Sequence, residues 1–365
     1  MQGKQKDTTA KRRGQMLTIK DVAELAGVTP MTVSNVLRER GRVGEATRQK
    51  VLRAVEASGY RPNLTARALV ERRAPTLALL LGCITNPFYP QFTLKATHAA
   101  RRHERHLLVC NTDYEGDGGI GFLAEVAGSL SDGILVANNG ALSIEDLQTV
   151  QQGGTPVVIS VWEFPDAPPP GIACVTFDST AAGRIATEHL TALGHQRIGA
   201  VVASEKGGIH NGRYDGYRSA MRAAHLRALQ ADVRFCSDDY QSGYDAATAL
   251  LTARPDLTAL FVSNDLPALG VLNAVWALGL RVPEDVSVVS ITDIEQASQS
   301  RPALTTVSIP TTEMAEQGVN LLLQLIEERA GEQAGAAPVV HTSAPTLVTR
   351  ASTAPPRRQE PTSRT

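Results

Sequence analysis

The side chains between Thr29 and Asn35 can recognise a nucleic acid if one helix presents them. An asparagine amide can pair with adenine through two hydrogen bonds, so Asn35 is a candidate for contact with a base edge. Pro30 and Met31 offer only apolar contact, which suits a thymine methyl group. Hydroxyls and cations bind phosphates, which position a protein without specifying sequence. The candidates for phosphate contact are Thr29, Thr32, Ser34 and Arg48.

Two helices joined by a tight turn would present these side chains. Apolar residues recur at helical spacing over 19–26, and Gly27 can end that helix in the left-handed conformation. Thr29 can cap a second helix over 30–38, and a third helix is predicted over 45–58. The pattern predicts a small all-α helix-turn-helix head, whose second helix enters the major groove.

Charge divides the chain into two parts. Residues 1–73 carry 16 Lys and Arg against 7 Asp and Glu, a net charge of +9. The remainder carries 20 against 30, a net charge of −10, so the whole-chain value of −1 hides the separation. A basic head on an acidic body indicates a polyanionic partner for the head alone, and we expect double-stranded DNA.

Beyond residue 75, continuous apolar runs alternate with stretches of helical length, which is typical of parallel strands covered on both faces. The candidate strands form two series. The first comprises 76–84, 106–112, 132–138, 156–160 and 173–178, and the second comprises 197–203, 232–236, 259–265 and 285–291. Two such series predict an α/β body of two Rossmann-like parallel-sheet subdomains with a cleft between them.

Sequence motifs of enzyme chemistry are weak or absent. The run from Gly116 to Gly121 fits G-x-G-x-x-G, but it follows the second strand of the body and lacks the later acidic residue, so we interpret it as a loop. No HExxH, P-loop or G-x-S-x-G pattern occurs. The four cysteines, Cys83, Cys110, Cys174 and Cys236, lie far apart and are expected to be free thiols. We predict no enzyme activity, no cofactor and no metal.

The ungapped stretch over 18–69, "TIKDVAELAGVTPMTVSNVL" and then "TRQKVLRAVEASGYRPNLTARAL", resembles the DNA-binding head and hinge helix of the lactose-repressor/galactose-repressor family of bacterial transcription regulators. The body resembles the family's periplasmic-binding-protein type I sensor at "NPFYPQF", "HLTALGHQRI", "GRYDGY" and "RPALTTV". The resemblance spans about residues 17–350. It implies a repressor that binds a near-palindromic operator as a homodimer and responds to a small-molecule effector, a sugar or sugar-derived metabolite.

The same resemblance assigns DNA contacts to the hinge stretch that follows the head. Leu69 is implied to insert into the minor groove at the centre of the operator, as apolar wedges do when they unstack a base step. The full set of DNA-binding residues expected from the residue types and the resemblance is Thr18, Thr29, Pro30, Met31, Thr32, Ser34, Asn35, Arg48, Tyr60, Asn63, Arg67 and Leu69.

Ligands of open α/β sheets bind outside the carboxyl ends of the strands, and several polar residues of the body fall there. Arg213 matches the family arginine that holds effector hydroxyls or carboxylates, and Asn264 matches an effector-contacting asparagine. The effector-binding set implied in this way is Phe88, Tyr89, Ser160, Arg213, Tyr240, Asn264, Asp265, Thr292 and Asp293. Thr292 and Ser160 stand where the family often has acidic effector contacts, so sugar recognition is implied by the resemblance and not by these residues.

The patterns divide the chain into five segments. They are a disordered basic arm (1–15), the helix-turn-helix domain (16–62), the hinge helix and linker (63–74), the effector-binding and dimerisation body (75–350) and a disordered tail (351–365). Within the body, the N-subdomain is expected at about 75–178 and 308–335, and the C-subdomain at about 179–307 and 336–350.

No apolar run approaches the ~20 residues of a membrane span, and no apolar signal core stands near the start, so we expect a cytoplasmic protein without a membrane partner. Two alternatives stay open beside the effector-controlled repressor. One is a regulator of the same fold controlled by a protein corepressor or a non-sugar ligand. The other is a cytoplasmic solute-binding protein, which the fold suits but the basic head argues against.

Overall fold

The computed structural model describes residues 17–37, 41–60, 76–112, 121, 123, 125–137, 142–164, 168–204, 210–329 and 337–357. The chain divides between residues 74 and 75 into two compact units, a head and a body. Three predicted segments lie outside the described residues: the N-terminal arm (1–15), the hinge (63–74) and the end of the tail (358–365). Most of the glycine-rich run over 116–121 does so as well.

The described part of the head contains three helices: α1 (Ile19–Ala26), α2 (Pro30–Leu37) and α3 (Glu45–Ser58). Thr18 begins α1 in a reciprocal capping box, and Gly27 ends it in the left-handed conformation with φ 65°. Val22, Val33 and Val51, one from each helix, are fully buried in one small core. The helix-turn-helix fold predicted from the sequence is confirmed.

The first sheet of the body lies in the N-subdomain. Its strands among the described residues are β1 (Thr76–Leu81), β2 (His106–Asn111), β3 (Ile134–Val136), β4 (Val157–Phe164), β5 (Ala173–Asp178) and β11 (Val339–His341). They run parallel in the order β11-β5-β4-β3-β1-β2. The helices that belong to this subdomain are α4 (Phe88–Arg102), α5 (Ile144–Gln152) and α11 (Thr311–Glu328). Their cover explains the continuous apolar runs of the strands.

The second sheet lies in the C-subdomain. Its described strands are β6 (Ile198–Val202), β7 (Val233–Phe235), β8 (Ala259–Val262), β9 (Ser287–Thr292), β10 (Thr305–Ser308) and β12 (Thr346–Val348). Their order is β12-β10-β9-β8-β6-β7, and only β12 runs antiparallel to its neighbour among these described strands. The helices are α6 (Ser179–Ala192), α7 (Asn211–Ala223), α8 (Tyr240–Ala253), α9 (Asp265–Ala277) and α10 (Glu295–Gln299). The predicted pair of parallel-sheet subdomains is confirmed.

One predicted subdomain boundary is wrong. Residues 336–350 were expected in the C-subdomain, but β11 pairs with β5 in the first sheet, where Val340 lies opposite Val175. The chain therefore returns to the second sheet only between His341 and Thr346, where β12 begins. A three-residue edge strand is too short to show a hydrophobic period, so only the pairing partner reveals its sheet.

The predicted disorder from residue 351 onward is wrong for residues 351–357, which pack on the second sheet. Ser352 is fully buried, and its hydroxyl donates to the carbonyl of Val288 at 2.6 Å. The same hydroxyl accepts the backbone N–H of Thr305 at 2.8 Å, and the N–H of Val288 donates to the Ser352 carbonyl. Composition suggests disorder here because the segment is rich in Ser, Pro and Arg. Residues 351–357 are ordered by hydrogen bonds to the backbone of the second sheet, and amino-acid composition does not predict such pairing.

Glycines let α6 and α7 cross in close contact, and this contact positions α7. A Cβ at Gly183 would overlap the carbonyl oxygen of Arg213, and a Cβ at Gly216 would overlap that of Thr180. The two helices therefore meet backbone to backbone. This contact sets the position of Arg213, which is one turn before Gly216 on α7.

Candidate functional site

A cavity lies between the two subdomains, where the carboxyl ends of their strands face each other. Its volume is about 140 Å³. At 10–15 Å³ for each water-sized position, this is room for a ligand with on the order of ten non-hydrogen atoms. The cavity is lined by Asn86, Phe88, Tyr89, Val136, Ala137, Ile159, Val161, Trp162, Glu163, His210, Arg213, Asp238, Asn264, Thr292 and Ile309.

Arg213 is buried at the centre of the polar wall. Its Nε donates to Oε2 of Glu163 at 3.2 Å, and its Nη2 donates to Oε1 at 2.5 Å. The Nη1 group donates to the Ser263 carbonyl at 2.8 Å, and the guanidinium carbon lies 5.7 Å from the ring centroid of Phe177. This bidentate ion pair joins α7 of the C-subdomain to β4 of the N-subdomain across the cleft.

Asp238 forms a second polar link across the cleft. Nδ2 of Asn264 lies 2.8 and 2.9 Å from its two carboxylate oxygens, and Nδ2 of Asn86 donates to Oδ2 at 3.1 Å. Burial raises the pKa of Asp238, although the amide hydrogen bonds and the charge of Arg213 oppose that rise. The hydroxyl of Thr292 donates to Oδ1 of Asn264 at 2.5 Å and fixes the orientation of the amide.

His210 is a neutral member of the polar wall. The side chain is buried, and Nδ1 lies 3.3 Å from the hydroxyl oxygen of Ser263. Burial, reinforced by the positive charge of Arg213, holds the pKa of His210 well below its ordinary value. The imidazole therefore supplies hydrogen-bonding groups to the cavity and no charge at neutral pH.

The opposite wall is largely apolar. Phe88 and Tyr89 at the start of α4 pack edge to face, with their ring centroids 5.2 Å apart. The aliphatic members of this wall are Val136 and Ala137 at the end of β3, Ile159 and Val161 on β4, and Ile309 at the crossover after β10. A bound molecule would therefore meet hydrogen-bonding groups on one side and hydrocarbon on the other.

Asp265, which was predicted to belong to the effector site, lies behind the cavity and is not among its lining residues. Its Oδ1 accepts the hydroxyls of Ser290 and Thr306 at 2.5 and 2.7 Å, and its Oδ2 accepts the N–H of Ile294 at 2.8 Å. Burial raises the pKa of this carboxyl to about 6. All of its contacts join α9 to β9, β10 and the loop after β9, which makes Asp265 a support of the cavity's back wall.

Thr292 and Asp293 have positive φ angles of 133° and 66°, a backbone region that side-chain-bearing residues rarely occupy. The turn leaves Thr292 on the cavity wall. It places Asp293 outside the cavity, where the carboxylate accepts a hydrogen bond from Nη2 of Arg350 at 2.6 Å. Asp293, which was predicted to contact the effector, is therefore engaged in an ion pair with the C-terminal segment and is not among the lining residues.

Two further residues that were predicted to bind the effector are not among the lining residues of the cavity. Ser160 is fully buried, and its hydroxyl donates to the Met314 carbonyl at 2.6 Å. Ile159 and Val161 line the cavity, whereas Ser160 faces α11. The pairing of β4 with β5 shifts register between Ile159 and Trp162, so simple alternation of side chains does not hold along this strand. Tyr240, the first residue of α8, is 40% exposed and lies outside the cavity. A match to a segment does not determine which side of that segment faces the ligand.

The sequence analysis missed the polar and aromatic lining residues Asn86, Trp162, Glu163, His210 and Asp238. Trp162 and Glu163 were missed because β4 was expected to end at residue 160, whereas it continues to 164. Asp238 follows β7 by three residues, so a systematic search for acids after each strand would have found it. No sequence signal connects Glu163 with Arg213.

In the head, α2 carries the predicted base-contacting side chains. Met31 is 70% exposed, and Thr29 and Pro30 are exposed beside it. The Thr29 hydroxyl accepts the N–H of Thr32 at 3.2 Å, which caps the helix as the sequence predicts. Asn35, one turn further on, is half-buried. A large exposed methionine contributes little to the core of the head, so this end of α2 is available for contact with a partner.

The remaining predicted DNA-binding residues have varied surroundings. Arg48 is half-buried in the first turn of α3, and Ser34 is half-buried on α2. The Thr18 hydroxyl donates to Asp21 at 2.7 Å. Tyr60 packs against the core of the head, and burial raises the pKa of its phenol. Asn63, Arg67 and Leu69 lie outside the described residues.

The described residues contain no group of three or more His, Cys, Asp or Glu side chains that could hold a metal ion. All four cysteines are free, and burial raises the pKa of Cys174 and of Cys236 to about 12. These two thiols are therefore not reactive thiolates at neutral pH. In the part of the chain that the structure covers, no helix is long and apolar enough to cross a membrane.

Two family models match the two units of the chain. Residues 18–63 match the model described as bacterial regulatory proteins, lacI family. Residues 187–353 match the model of a periplasmic binding protein-like domain. The first match covers the helix-turn-helix head, and the second covers most of the C-subdomain and its C-terminal segment.

The chain is similar to the HTH-type transcriptional repressor PurR of Haemophilus influenzae (strain PittEE), with 31% identity over 315 residues, 86% of this chain and 92% of the relative. Among solved structures, it is similar to a transcriptional regulator CelR–cellobiose complex, with a TM-score of 0.68, 30% identity and coverage of 92% and 99%. It is also similar to the lac repressor dimer bound to operator and the anti-inducer ONPF, with a TM-score of 0.80, 25% identity and coverage of 93% and 100%.

Proposed function

This chain belongs to the lacI family of bacterial regulatory proteins, and we propose that it is a repressor whose operator binding is controlled by a small molecule in the cleft. It is a DNA-binding transcriptional regulator and not an enzyme, in line with the relative named above. The observation that carries the proposal is the union in one chain of a helix-turn-helix with an exposed recognition end and a two-sheet body with a polar cavity. We propose that it acts in the cytoplasm, where it meets DNA.

For DNA binding, we propose that α2 enters the major groove and that Asn35 pairs with adenine. Pro30 and Met31 would make apolar contacts with bases. Phosphate contacts, which position the head, are assigned to Thr18, Thr29, Thr32, Ser34 and Arg48. Tyr60, Asn63, Arg67 and Leu69 would extend the contact surface toward the hinge, with Leu69 in the minor groove.

We propose that the protein works as a homodimer on a near-palindromic operator. Trp276 is 78% exposed at the end of α9, and Leu278 is partly exposed beside it. Exposed apolar side chains of this size favour burial against a second subunit. Two heads related by a twofold axis require inverted half-sites, so the symmetry of the protein predicts the symmetry of the operator. The dimer on operator DNA in the similar lac repressor structure supports this arrangement.

For the effector, we propose a sugar or sugar-derived metabolite held by Arg213, Asn264 and Thr292, with Phe88 and Tyr89 against its apolar face. Asp238 and His210 join this set because they line the same cavity. Two observations support a sugar-like ligand: the number of hydrogen-bonding groups on one wall, and the cellobiose bound to the similar regulator CelR.

Operator binding is tested by selecting bound sequences from a random DNA pool. We expect a consensus with dyad symmetry, and an affinity that falls steeply with salt because the head neutralises phosphates. A consensus without dyad symmetry, or an affinity that does not respond to salt, would contradict the proposal.

Effector binding is tested by a thermal-shift screen of the full chain against sugars, nucleosides and amino acids. A ligand at ~100 times its dissociation constant should stabilise the protein by roughly 2.7 kcal/mol. Arg213→Ala should remove the effect of that ligand on operator binding, a coupling of typically ~1–3 kcal/mol, while operator affinity without ligand is kept. Undiminished coupling in the variant would move the effector site elsewhere.

A further inference from the structure

The guanidinium of Arg213 in the cleft is already paired with a carboxylate of this chain. Glu163 lies on β4 of the N-subdomain, and Arg213 lies on α7 of the C-subdomain. The side chains of this ion pair are only 12% and 5% exposed, respectively. Three of the five N–H groups of Arg213 are used by Glu163 and the Ser263 carbonyl. Two N–H groups remain without a partner among the described residues, on a side chain that lines the cavity.

Asp238 adds a second carboxylate to the same cavity. It faces Asn86 and Asn264, whose amides are neutral. His210 also lines the cavity, and burial together with the positive charge of Arg213 holds its pKa well below the ordinary value, so it is neutral at physiological pH. The phenol of Tyr89, another lining residue, adds no positive charge. The wall therefore holds two carboxylates and one guanidinium, and its electrostatic potential is unfavourable for a further negative charge.

We propose that the cleft selects an uncharged effector and excludes phosphorylated and carboxylated ones, and that Glu163 determines this selectivity. The proposal rests on the proposed function only in assuming that the effector occupies this cavity. It narrows the class of sugar-derived ligands to neutral ones with an apolar face.

Anions are excluded because an anion that binds to Arg213 competes with Glu163 for the guanidinium. A phosphate or carboxylate that takes the guanidinium of Arg213 must displace Glu163, and the largely buried carboxylate then loses its bidentate ion pair. An anion that binds beside the intact pair is repelled by Asp238 at short range. A neutral hydroxyl needs neither step, because it can accept the two remaining N–H groups of Arg213 and donate to the oxygens of Asp238.

The apolar wall completes the selectivity. Ile159 and Val161 on β4 face the cavity on either side of the buried Ser160, and Trp162 and Glu163 follow directly. A ligand that hydrogen-bonds to Arg213 and Asp238 presents its other side to these aliphatic and aromatic groups. A charged substituent on that side would be desolvated without a partner, whereas an apolar ring face or alkyl substituent is stabilised there.

Inorganic sulfate tests the role of Glu163, because it probes the guanidinium without any knowledge of the effector. The melting temperature of the full chain is measured in sodium sulfate and in sodium chloride at equal ionic strength, for the wild type, E163Q and the double variant E163Q/R213Q. We expect sulfate to stabilise E163Q specifically, with an apparent affinity about tenfold or more above that of the wild type, because the guanidinium is no longer neutralised. The double variant should lose this response.

The matched control is E188Q, which removes the exposed Arg184–Glu188 ion pair of α6, with N and O 2.8 Å apart. It should behave as the wild type does. Equal responses to sulfate in the wild type and E163Q, or a response that survives in the double variant, would overturn the proposal. Operator binding is measured on the same preparations, so a failure of the proposed repressor function is distinguished from a failure of the selectivity argument.

A second measurement on the wild type alone covers the case in which E163Q does not fold. Matched pairs are compared: D-glucose with glucose 6-phosphate and with gluconate, and D-ribose with ribose 5-phosphate. We expect no anionic member to raise the melting temperature above that of its neutral counterpart. An anionic member that stabilises the wild type where its neutral counterpart does not would overturn the proposal.

Discussion

At the scale of single residues, the head and the cleft use side chains in different ways. Met31 is exposed on α2 and Asn35 is half-buried one turn later, so these two present chemistry to a partner. In the cleft, Glu163 and Arg213 satisfy each other within the chain. Substitutions in the head should therefore change recognition alone, whereas substitutions in the cleft also leave a buried partner without its hydrogen bonds.

Asn35→Ala should relax base specificity at one position of each half-site, at a cost of about 1–3 kcal/mol there. Arg48→Ala is the comparison, because a lost phosphate contact should weaken binding to all sequences about equally. Selection from a random pool with each variant measures both effects. If the selected consensus of the Asn35 variant matched that of the wild type, the placement of α2 in the groove would be wrong.

Asp265 should give the body an unusual pH dependence. Its pKa is about 6 in the folded protein against 3.8 for an ordinary carboxyl, so between these values the folded state binds more protons than the unfolded chain. The free energy of unfolding contributed by this group therefore falls as pH rises from about 4 to about 6, by ~3 kcal/mol in total, and is constant above that window.

The measurement is urea unfolding of the wild type and Asp265→Asn at several pH values. The stability of the wild type relative to the variant should be greater at pH ~4 than at pH ~7. Asp256→Asn is the control with the opposite sign, because hydrogen bonds from Arg254 lower the pKa of Asp256. A difference between wild type and Asp265→Asn that does not change with pH would mean that burial does not perturb this carboxyl.

At the scale of elements, the crossing of α6 and α7 positions the guanidinium. Gly216→Ala should push the two helices apart, because the new methyl group would overlap the Thr180 carbonyl, at a cost of about 1–3 kcal/mol in stability. Arg213 lies one turn away and should shift from Glu163, so the effector response should weaken together with stability.

Gly121→Ala is the control for this prediction, because a Cβ there meets no atom within 4 Å. Thermal unfolding and effector-dependent operator binding are measured for both variants. If Gly216→Ala lost stability but kept the full effector response, the position of α7 would not control the site.

At the scale of the whole molecule, the proposed function requires two copies of the chain. Trp276→Glu should break the proposed dimer, because it places a charge where 78% of a tryptophan is exposed for contact. Loss of an aromatic anchor weakens the free energy of association by about 2 kcal/mol or more, and 2 kcal/mol raises the dimer dissociation constant by about 30-fold. Sedimentation velocity should show monomers at concentrations where the wild type is dimeric, and operator affinity should fall with dimer population.

Leu229→Glu, at a partly exposed apolar residue before β7, is the matched control and should stay dimeric. A dimeric Trp276→Glu variant would show that a different surface joins the subunits.

Features that depend on neighbours along the chain could be predicted from the residues alone. Thr18, Gly27 and Thr29 set the ends of α1 and α2 through caps that span three residues, and the apolar runs of the body identify its parallel strands. Family motifs also located Arg213, Asn264 and Thr292, which line the cavity. For such features, backbone sterics and periodicity are sufficient.

The set of side chains that meet in the cleft could not be predicted in this way, because it depends on contacts between distant parts of the chain. Glu163 and Arg213 are fifty residues apart and belong to different subdomains, so no periodicity connects them. The hydrogen bond to Met314 of α11 holds Ser160 away from the cavity lining, and pairing with β5 places residues 339–341 in the first sheet. Long-range contacts of this kind depend on the packing of whole sheets and helices. The charge that the effector meets is therefore a property of the fold, although every group that carries it is visible in the sequence.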